Sequence, residues 1–385
     1  MMRIALLETI TTPGGHEVDF DRLLDEEWTE QGHEVNWFVP EDVNPVTKSQ
    51  IFHLSGKSVS YAGKKGFAKW RTSFLREWRR RGWFNAAAKL ARQQDVDAIV
   101  IPTSTYRYLR ALRHSSLIQA GKPIIFILHG LNPGEAPKFF SELGKLPQQA
   151  MVETVVITFG DTVLGKTHPR MKAFSPPAYE PRDVAGRKAP LLRERVLRLG
   201  FFGQYRREKQ LERFLDVFLS CNFSQPCELV VQGATMRLED TEDFKRIQEK
   251  YKEHKQLSFI HKGLFGAEWQ EAILQVDALL LPYGAPRYRY HWAGMLFTAI
   301  GHQRPVLASD EINPEVWEKY DLGMTFEATN EEALRNTLEQ FINTFAAKKK
   351  WYEAELARAA EEYSPSKFAE RLVLLCEACN QKKSL

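Results

Sequence analysis

Residues 283–309 read YGAPRYRYHWAGMLFTAIGHQRPVLAS. The apolar strand core Leu279–Pro282 runs into this stretch and a short loop carries Arg287 and Arg289. A helix of about ten residues is then expected from near His291, and Pro305 opens a second apolar strand, Val306–Ala308. The order is strand, basic loop, helix, strand. In a parallel sheet this order sets the helix N-terminus, with its unpaired N–H groups and partial positive charge, beside the carboxyl ends of the strands, where ligands bind. Two arginines and a helix start at such a point read as a site for a diphosphate.

Working outward, the same alternation fills the second half of the chain. Strands are expected at Leu197–Phe202, Leu229–Gln232, Leu257–His261, Ala278–Pro282 and Met324–Phe326. Helices are expected at Lys209–Leu219, Glu239–His254, Ala267–Gln275 and Pro314–Lys319. Thr329-x-x-Glu332 has the spacing of a capping box for a helix carrying Leu334, Leu338, Phe341, Ile342 and Phe345 on one face. Two further helices, Trp351–Glu362 and Ser366–Gln381, finish the chain.

The first half repeats the pattern. A buried strand at Arg3–Glu8 leads into the turn Thr11–His16 (TTPGGH), then a helix from Val18 to Gln31 with Phe20, Leu23, Leu24 and Trp28 on one face. Gly32 ends that helix and the strand Val35–Val39 follows. Residues 44–63 show no period and read as a loop. Later strands are expected at Ala98–Pro102, Ile124–Leu128 and Thr154–Thr158, with helices at Tyr106–Ala120 and Pro137–Leu146. Phe174–Arg195 has four prolines and no period, so it reads as an interdomain linker. The domains expected are 1–175, a linker at 176–196, a second domain at 197–365, and a terminal helix at 366–385 returning to the first domain. A chain of 385 residues is too long for one ordinary core, which agrees with two α/β domains.

Composition excludes several classes. With 43% hydrophobic and 26% charged residues, the chain is globular rather than disordered. No apolar run approaches the roughly 20 residues needed to cross a bilayer. The polar residues after Ile4–Leu7 do not resemble a signal peptide, so cytoplasmic residence is expected. A net charge of +4 is too small by itself to indicate nucleic acid. Cys376-x-x-Cys379 sits in a Leu-rich helical tail without a second ligand pair, and reads as structural thiols. No spacing of His, Asp and Cys argues for a metal.

Lys64–Arg92 is a local exception to the balanced charge, with ten Lys or Arg against one Glu. Phe67, Trp70, Phe74 and Trp78 step by three, four and four, so they share one face of a basic helix. Such a face either packs into a core or lies in a membrane interface, where Lys69, Arg71, Arg76, Arg79, Arg80 and Arg81 would reach anionic headgroups.

Several segments resemble the family 4 glycosyltransferases (glycosyl transferases group 1). Leu199 to Lys209 (LGFFGQYRREK) is similar to that family's strand, glycine loop and lysine. Gln232-Gly233 resembles its mid-domain glycine turn, and Gly263-Leu264-Phe265 the turn that holds the nucleotide base. Val276–Tyr283 followed by Ala299–Ser309 resembles its last conserved block. Gly14-Gly15 with Gly32-His33-Glu34-Val35 resembles the first-domain opening, and His129 the histidine ending a first-domain strand. Three residues depart from the pattern: Tyr290 and Thr298 stand where the family has two glutamates eight residues apart. Gln204 stands in place of its arginine.

The resemblance implies a GT-B fold, two Rossmann-like domains facing a cleft and closed by C-terminal helices. It implies transfer of a sugar from a nucleotide sugar, with UDP the favoured nucleotide, to a saccharide or lipid-linked saccharide in bacterial surface-polysaccharide synthesis. Retention of configuration without a metal or cofactor is also implied. A fixed cation and a helix N-terminus stabilise the departing diphosphate in such chemistry. The expected catalytic residues are His129, Lys209 and Asp19. Donor contacts are expected from Gly14, Gly15, Gly203, Arg206, Arg207, Lys209, Gly233, Leu264, Phe265, Arg287, Arg289, Tyr290, His291, Trp292, Ala293, Gly294, Met295 and Thr298. His16, Glu17 and Asp161 are the acceptor candidates, and Asp19, His16 or Asp161 would have to supply the base if transfer inverted configuration. Two other readings stay open: a nonenzymatic nucleotide or sugar binder of the same fold, and a nucleic-acid binder using Lys64–Arg92.

Overall fold

The computed structural model describes residues 1–9, 16–57, 66–158, 166–182 and 196–381, without the side chains of residues 16, 17 and 67–69. The chain divides into two compact units, one formed by Met1–Pro176 with Pro365–Leu385 and the other by Pro177–Ser364.

In the first unit, β1 (Arg3–Leu7), β2 (Glu34–Pro40), β3 (Gln50–Leu54), β4 (Ala98–Ile101), β5 (Ile124–Leu128), β6 (Val152–Val156) and β7 (Met171–Ala173) form one sheet in the order β3-β2-β1-β4-β5-β6-β7. Every pairing in it is parallel. Its helices include α1 (His16–Glu30), α2 (Gly66–Gln93), α3 (Tyr106–Arg113) and α4 (Ala136–Gly144). Apart from Arg3 at the start of β1, the central strands β1, β4 and β5 are apolar at every position because helices cover both faces of a parallel sheet. Residues 44–63, read as a loop, contain β3. Only Leu54 of that strand is buried, so its half-wet edge position left no apolar run to detect. The three-residue edge strand β7 escaped notice for the same reason. The helix expected to reach Ala120 ends at Arg113, and a 3₁₀ turn, Ser116–Gln119, follows it.

Helix α2 is half embedded. Thr72, Arg80, Trp83, Phe84, Ala87, Ala88 and Ala91 face the core, whereas Trp70, Phe74 and Trp78 are 66%, 65% and 64% exposed. Arg80, expected on the outer surface, turns inward. It pairs with Glu77 at 2.8 Å and lies 4.2 Å from the centre of the Tyr108 ring. Arg79 lies against Gly56, where an added Cβ would come within 1.4 Å of its guanidinium.

In the second unit, β8 (Leu197–Phe201), β9 (Cys227–Gln232), β10 (Leu257–Ile260), β11 (Ala278–Leu281), β12 (Val306–Ser309) and β13 (Gly323–Phe326) pair in the order β10-β9-β8-β11-β12-β13. All pairings are again parallel. The helices are α5 (Leu211–Ser220), α6 (Leu238–Tyr251), α7 (Gly266–Leu274), α8 (Gly294–Gly301), α9 (Pro314–Trp317) and α10 (Glu331–Glu362). Helix α8 starts three residues later than expected because Pro286–Tyr290 forms a 3₁₀ turn. Likewise α5 begins at Leu211, after a 3₁₀ turn at Arg207–Lys209 and a left-handed Gln210. The two helices expected after residue 330 are one helix of 32 residues. Its middle is Ala- and Lys-rich, with neither Gly nor Pro to stop it. Its N-cap is Asn330, whose side chain accepts from the Ala333 N–H at 3.0 Å, rather than Thr329 of the expected capping box. Residues 177–182, read as linker, are built into this unit: Tyr179 N–H donates to Phe297 O, and Arg182 N–H to Gln270 Oε1.

The last helix, α11 (Pro365–Gln381), packs on α1 of the first unit. Trp28 Nε1–H donates to Ala369 O at 3.1 Å, and Phe20 meets Phe368 edge to face. Cys376 and Cys379 are buried free thiols on this helix, and burial pushes the Cys376 thiol up. Among the described residues no helix is long and apolar enough to cross a membrane.

Candidate functional site

In the second unit the strand order reverses between β8 and β11, which pair through Ala278–Leu199 and Leu279–Gly200. Strands added after β8 run to one side and strands added after β11 to the other. The two following loops therefore diverge and leave a crevice at the carboxyl ends, the place where such sheets take ligands.

Gly203 lies two residues past β8 with φ of +105°, a conformation that glycine adopts at least cost. Its N–H donates to Gln232 Oε1 at 2.8 Å, and Gln232 Nε2 donates in turn to Lys262 O at 2.5 Å. A buried amide thus ties the loop after β8 to those after β9 and β10. Gly233 adds a 3.0 Å bond from its N–H to Ile260 O.

Lys209 closes the loop. It is only 6% exposed, with Nζ 4.5 Å from the centre of the Tyr283 ring and 5.4 Å from that of Phe201. Burial, and then the positive charges of Arg206 and Arg287, pull its pKa down to about 7, against a smaller upward pull from Glu208. Such a site disfavours its own charge until an anion arrives. Arg206 donates to Gln204 Oε1 at 3.0 Å, and Glu208 is ion-paired with Arg206 and with Arg287. Around Lys209 the loops therefore gather two further cations and one carboxylate.

Helix α8 contributes its start. A Cβ placed on Gly203 would lie 3.6 Å from Met295 Sδ and 3.9 Å from Lys209 Nζ, so these three residues converge. The residue before α8, Ala293, provides no side-chain cap. Asn313, in a left-handed conformation, holds the entry: its Oδ1 accepts from Ala293 N–H at 2.9 Å and its Nδ2 donates to His291 O at 3.2 Å. Trp292 is buried against Tyr179 and Phe297.

Other expected donor contacts lie elsewhere. Arg207 donates to Glu239 O at 2.8 Å, and Arg289 pairs with Glu311 at 3.0 Å. Thr298 is buried in α8, with its hydroxyl donated to Gly294 O at 2.9 Å. Tyr290 ends the 3₁₀ turn, half-buried. Leu264 is buried, and Phe265 is exposed at the start of α7. Sequence reading passed over Glu208, Gln232 and Asn313, of which only Glu208 and Gln232 had a signal, as neighbours of Lys209 and Gly233.

In the first unit the order reverses between β1 and β4. Polar groups crowd the strand ends there: Thr9 Oγ1 and Tyr108 OH are 2.9 Å apart, and Ser104 Oγ donates to Ile127 O at 2.8 Å. His129, just past β5, is buried with Nε2 donating to Pro102 O at 2.9 Å. Phe20 meets its ring edge on at 4.6 Å. Asp19 lies on α1, 3.6 Å from Arg22. Gly14, Gly15 and Asp161 fall outside the described residues, as do the side chains of His16 and Glu17. Among the described residues no group of three His, Cys, Asp or Glu could hold a metal ion.

No protein-family model matches the sequence, and no curated protein does. Solved structures do match. HepE of Anabaena, in complex with UDP and glucose, is 13% identical over 98% of this chain and 100% of its own, with a TM-score of 0.67. A glycosyltransferase from Rickettsia africae is 10% identical over 98% of each chain, with a TM-score of 0.68. WaaG, a glycosyltransferase involved in lipopolysaccharide biosynthesis, is 14% identical over 96% of this chain and 99% of its own, with a TM-score of 0.63. Likeness over whole chains at this level establishes the GT-B fold.

Proposed function

We propose that the chain is a glycosyltransferase that moves a sugar from a nucleotide sugar, a UDP-sugar by preference, onto a saccharide or lipid-linked saccharide acceptor. The observation that carries this reading is Lys209, buried at the crevice between β8 and β11 and flanked by Arg206, Arg287 and the start of α8. A buried amine whose charge is suppressed until an anion enters suits a leaving diphosphate, because it stabilises negative charge in a water-poor site. The structural neighbour HepE binds UDP and glucose.

In the proposed reaction the bond between the sugar's anomeric carbon and the phosphate oxygen breaks as the acceptor oxygen bonds to that carbon on the same face. The acceptor's proton passes to the departing diphosphate oxygen, so retention requires no protein base. Lys209, Arg206, Arg287 and the N–H groups of Gly294 and Met295 hold the diphosphate, and Leu264 with Phe265 flanks the base. Neither a metal nor a cofactor is part of the reading. His129 and Asp19 serve on the acceptor side, with His16, Glu17 and Asp161. The setting proposed is bacterial surface-polysaccharide synthesis, by a cytoplasmic protein peripheral to the inner face of the membrane.

Calorimetry with UDP, GDP and ADP tests the donor half: UDP should bind without Mg²⁺, and loss of Lys209 should weaken it. The buried hydroxyl of Thr298 and the aromatic Tyr290, where the resembled family has glutamates, favour one rival, a binder that holds the nucleotide sugar without transferring it. Binding of UDP-glucose with neither hydrolysis nor transfer to any saccharide would establish that rival.

A further inference from the structure

We propose that the outer face of α2 docks on an anionic lipid bilayer and sets the first unit against the membrane surface. Trp70, Phe74 and Trp78 recur every four residues and are 66%, 65% and 64% exposed, although α2 is 28 residues long and its opposite face is core. The cations on the same side are Arg71, Arg81, Lys89 and Arg92, all exposed. They follow helical spacing with the aromatics, since 71, 78, 89 and 92 recur at multiples of three and four along one stripe while 70, 74 and 81 form the row beside it. The helix's one acid, Glu77, falls on the row of Trp70, Phe74 and Arg81 but is paired with Arg80 at 2.8 Å and Arg110 at 3.5 Å. The outer surface is therefore aromatic and, with its one acid already paired, net cationic.

That combination selects the occupant. Tryptophans favour the boundary between headgroups and acyl chains, and exposed arginines beside them complement anionic lipid. Core packing, the alternative for a stripe of aromatics, is excluded by exposure. The one carboxylate on the face is already paired with Arg80 and Arg110, which leaves none to bind the arginines of a second copy. The inner side of the same helix reaches the carboxyl end of β1 through Arg80, Tyr108 and Thr9. A docked α2 would thus bring the first-unit strand ends, where the acceptor is proposed to bind, to the headgroup layer. This step rests on the acceptor half of the proposed function and is independent of the donor site.

The test is flotation of the full chain with vesicles of phosphatidylcholine alone or mixed with phosphatidylglycerol. Wild type should float with the anionic vesicles only, and the triple variant Trp70→Ala, Phe74→Ala, Trp78→Ala should stay at the bottom. Each of Arg71→Glu and Arg81→Glu should lower the bound fraction at least about fivefold, more than loss of a single attractive charge would. UDP calorimetry on the triple variant separates the two readings. Unchanged UDP binding with lost flotation supports docking, whereas wild type that floats with anionic vesicles but does not bind UDP overturns the donor reading and leaves docking standing. Docking is overturned if wild type ignores anionic vesicles, if the triple variant floats as well as wild type, or if the triple variant dissociates an oligomer seen without lipid.

Discussion

Lys209 Nζ lies 4.5 Å from the centre of the Tyr283 ring, so the loops that leave β8 and β11 meet through an amine and an aromatic face. A cation so placed gains from the ring but loses more by leaving water, which is why its pKa falls to about 7. Tyr283 itself is held by Ser309, whose hydroxyl donates to the Tyr283 carbonyl at 2.9 Å. Stability and the proposed function oppose each other here.

Replacing Lys209 by Met keeps the volume and removes the charge. UDP affinity is expected to fall about a hundredfold, the worth of a charge-assisted contact. The fold should gain on the order of 3 kcal/mol below pH 7, where the buried amine is protonated at a cost. The sign follows from the lowered pKa: between about 7 and the ordinary lysine value of 10.5 the unfolded chain holds the proton and the folded one does not. Wild-type stability therefore rises with pH across that window, and the advantage of Met shrinks. Urea titrations at pH 6 and pH 10 check this; equal gains at both would be wrong for a depressed lysine.

Binding of a diphosphate should restore the charge of Lys209. Near pH 8 UDP binding is expected to take up close to one proton, and affinity should fall as pH rises above 7, by at most about tenfold per unit. Titration calorimetry in buffers of different ionisation enthalpy measures the uptake. A heat that does not vary with buffer, or uptake that persists in Lys209→Met, counts against the assignment.

Gly301 ends α8 under the Tyr179 carbonyl, and a Cβ there would lie 2.2 Å from that oxygen. Both atoms belong to backbone that is hydrogen-bonded, Tyr179 N–H to Phe297 O at 3.2 Å, so the clash cannot be relieved by a rotamer change. Gly301→Ala is expected to destabilise the second unit by about 2–4 kcal/mol. A change in denaturation midpoint worth under about 0.5 kcal/mol would show that the contact yields.

Trp28 anchors the C-terminal helix. Trp28→Ala should cost about 3–5 kcal/mol through the cavity and the lost bond to Ala369. Hydrogen exchange should show α11 losing protection with α1, while the second unit stays unchanged. Retained protection in α11 would mean that Phe20 and Phe368 suffice.

Much of this protein was legible along the chain. The alternation of apolar strands with amphipathic helices set the parallel architecture, because periodicity reports the burial of each residue's own element. The basic loop before α8 and the lysine after the glycine turn pointed to the crevice between β8 and β11, since helix starts and strand ends sit together in any such sheet. What tertiary structure decided were pairings between residues far apart in sequence. Edge strands β3 and β7 take their conformation from β2 and β6 and carry no apolar run of their own. Arg80 turns inward, where Glu77 and Tyr108 meet it, whereas Trp70, Phe74 and Trp78 on the same helix stay exposed. The resemblance placed a lysine at 209, but only closure of two loops from different strands removed it from water and moved its pKa, and desolvation depends on neighbours that no local spacing specifies.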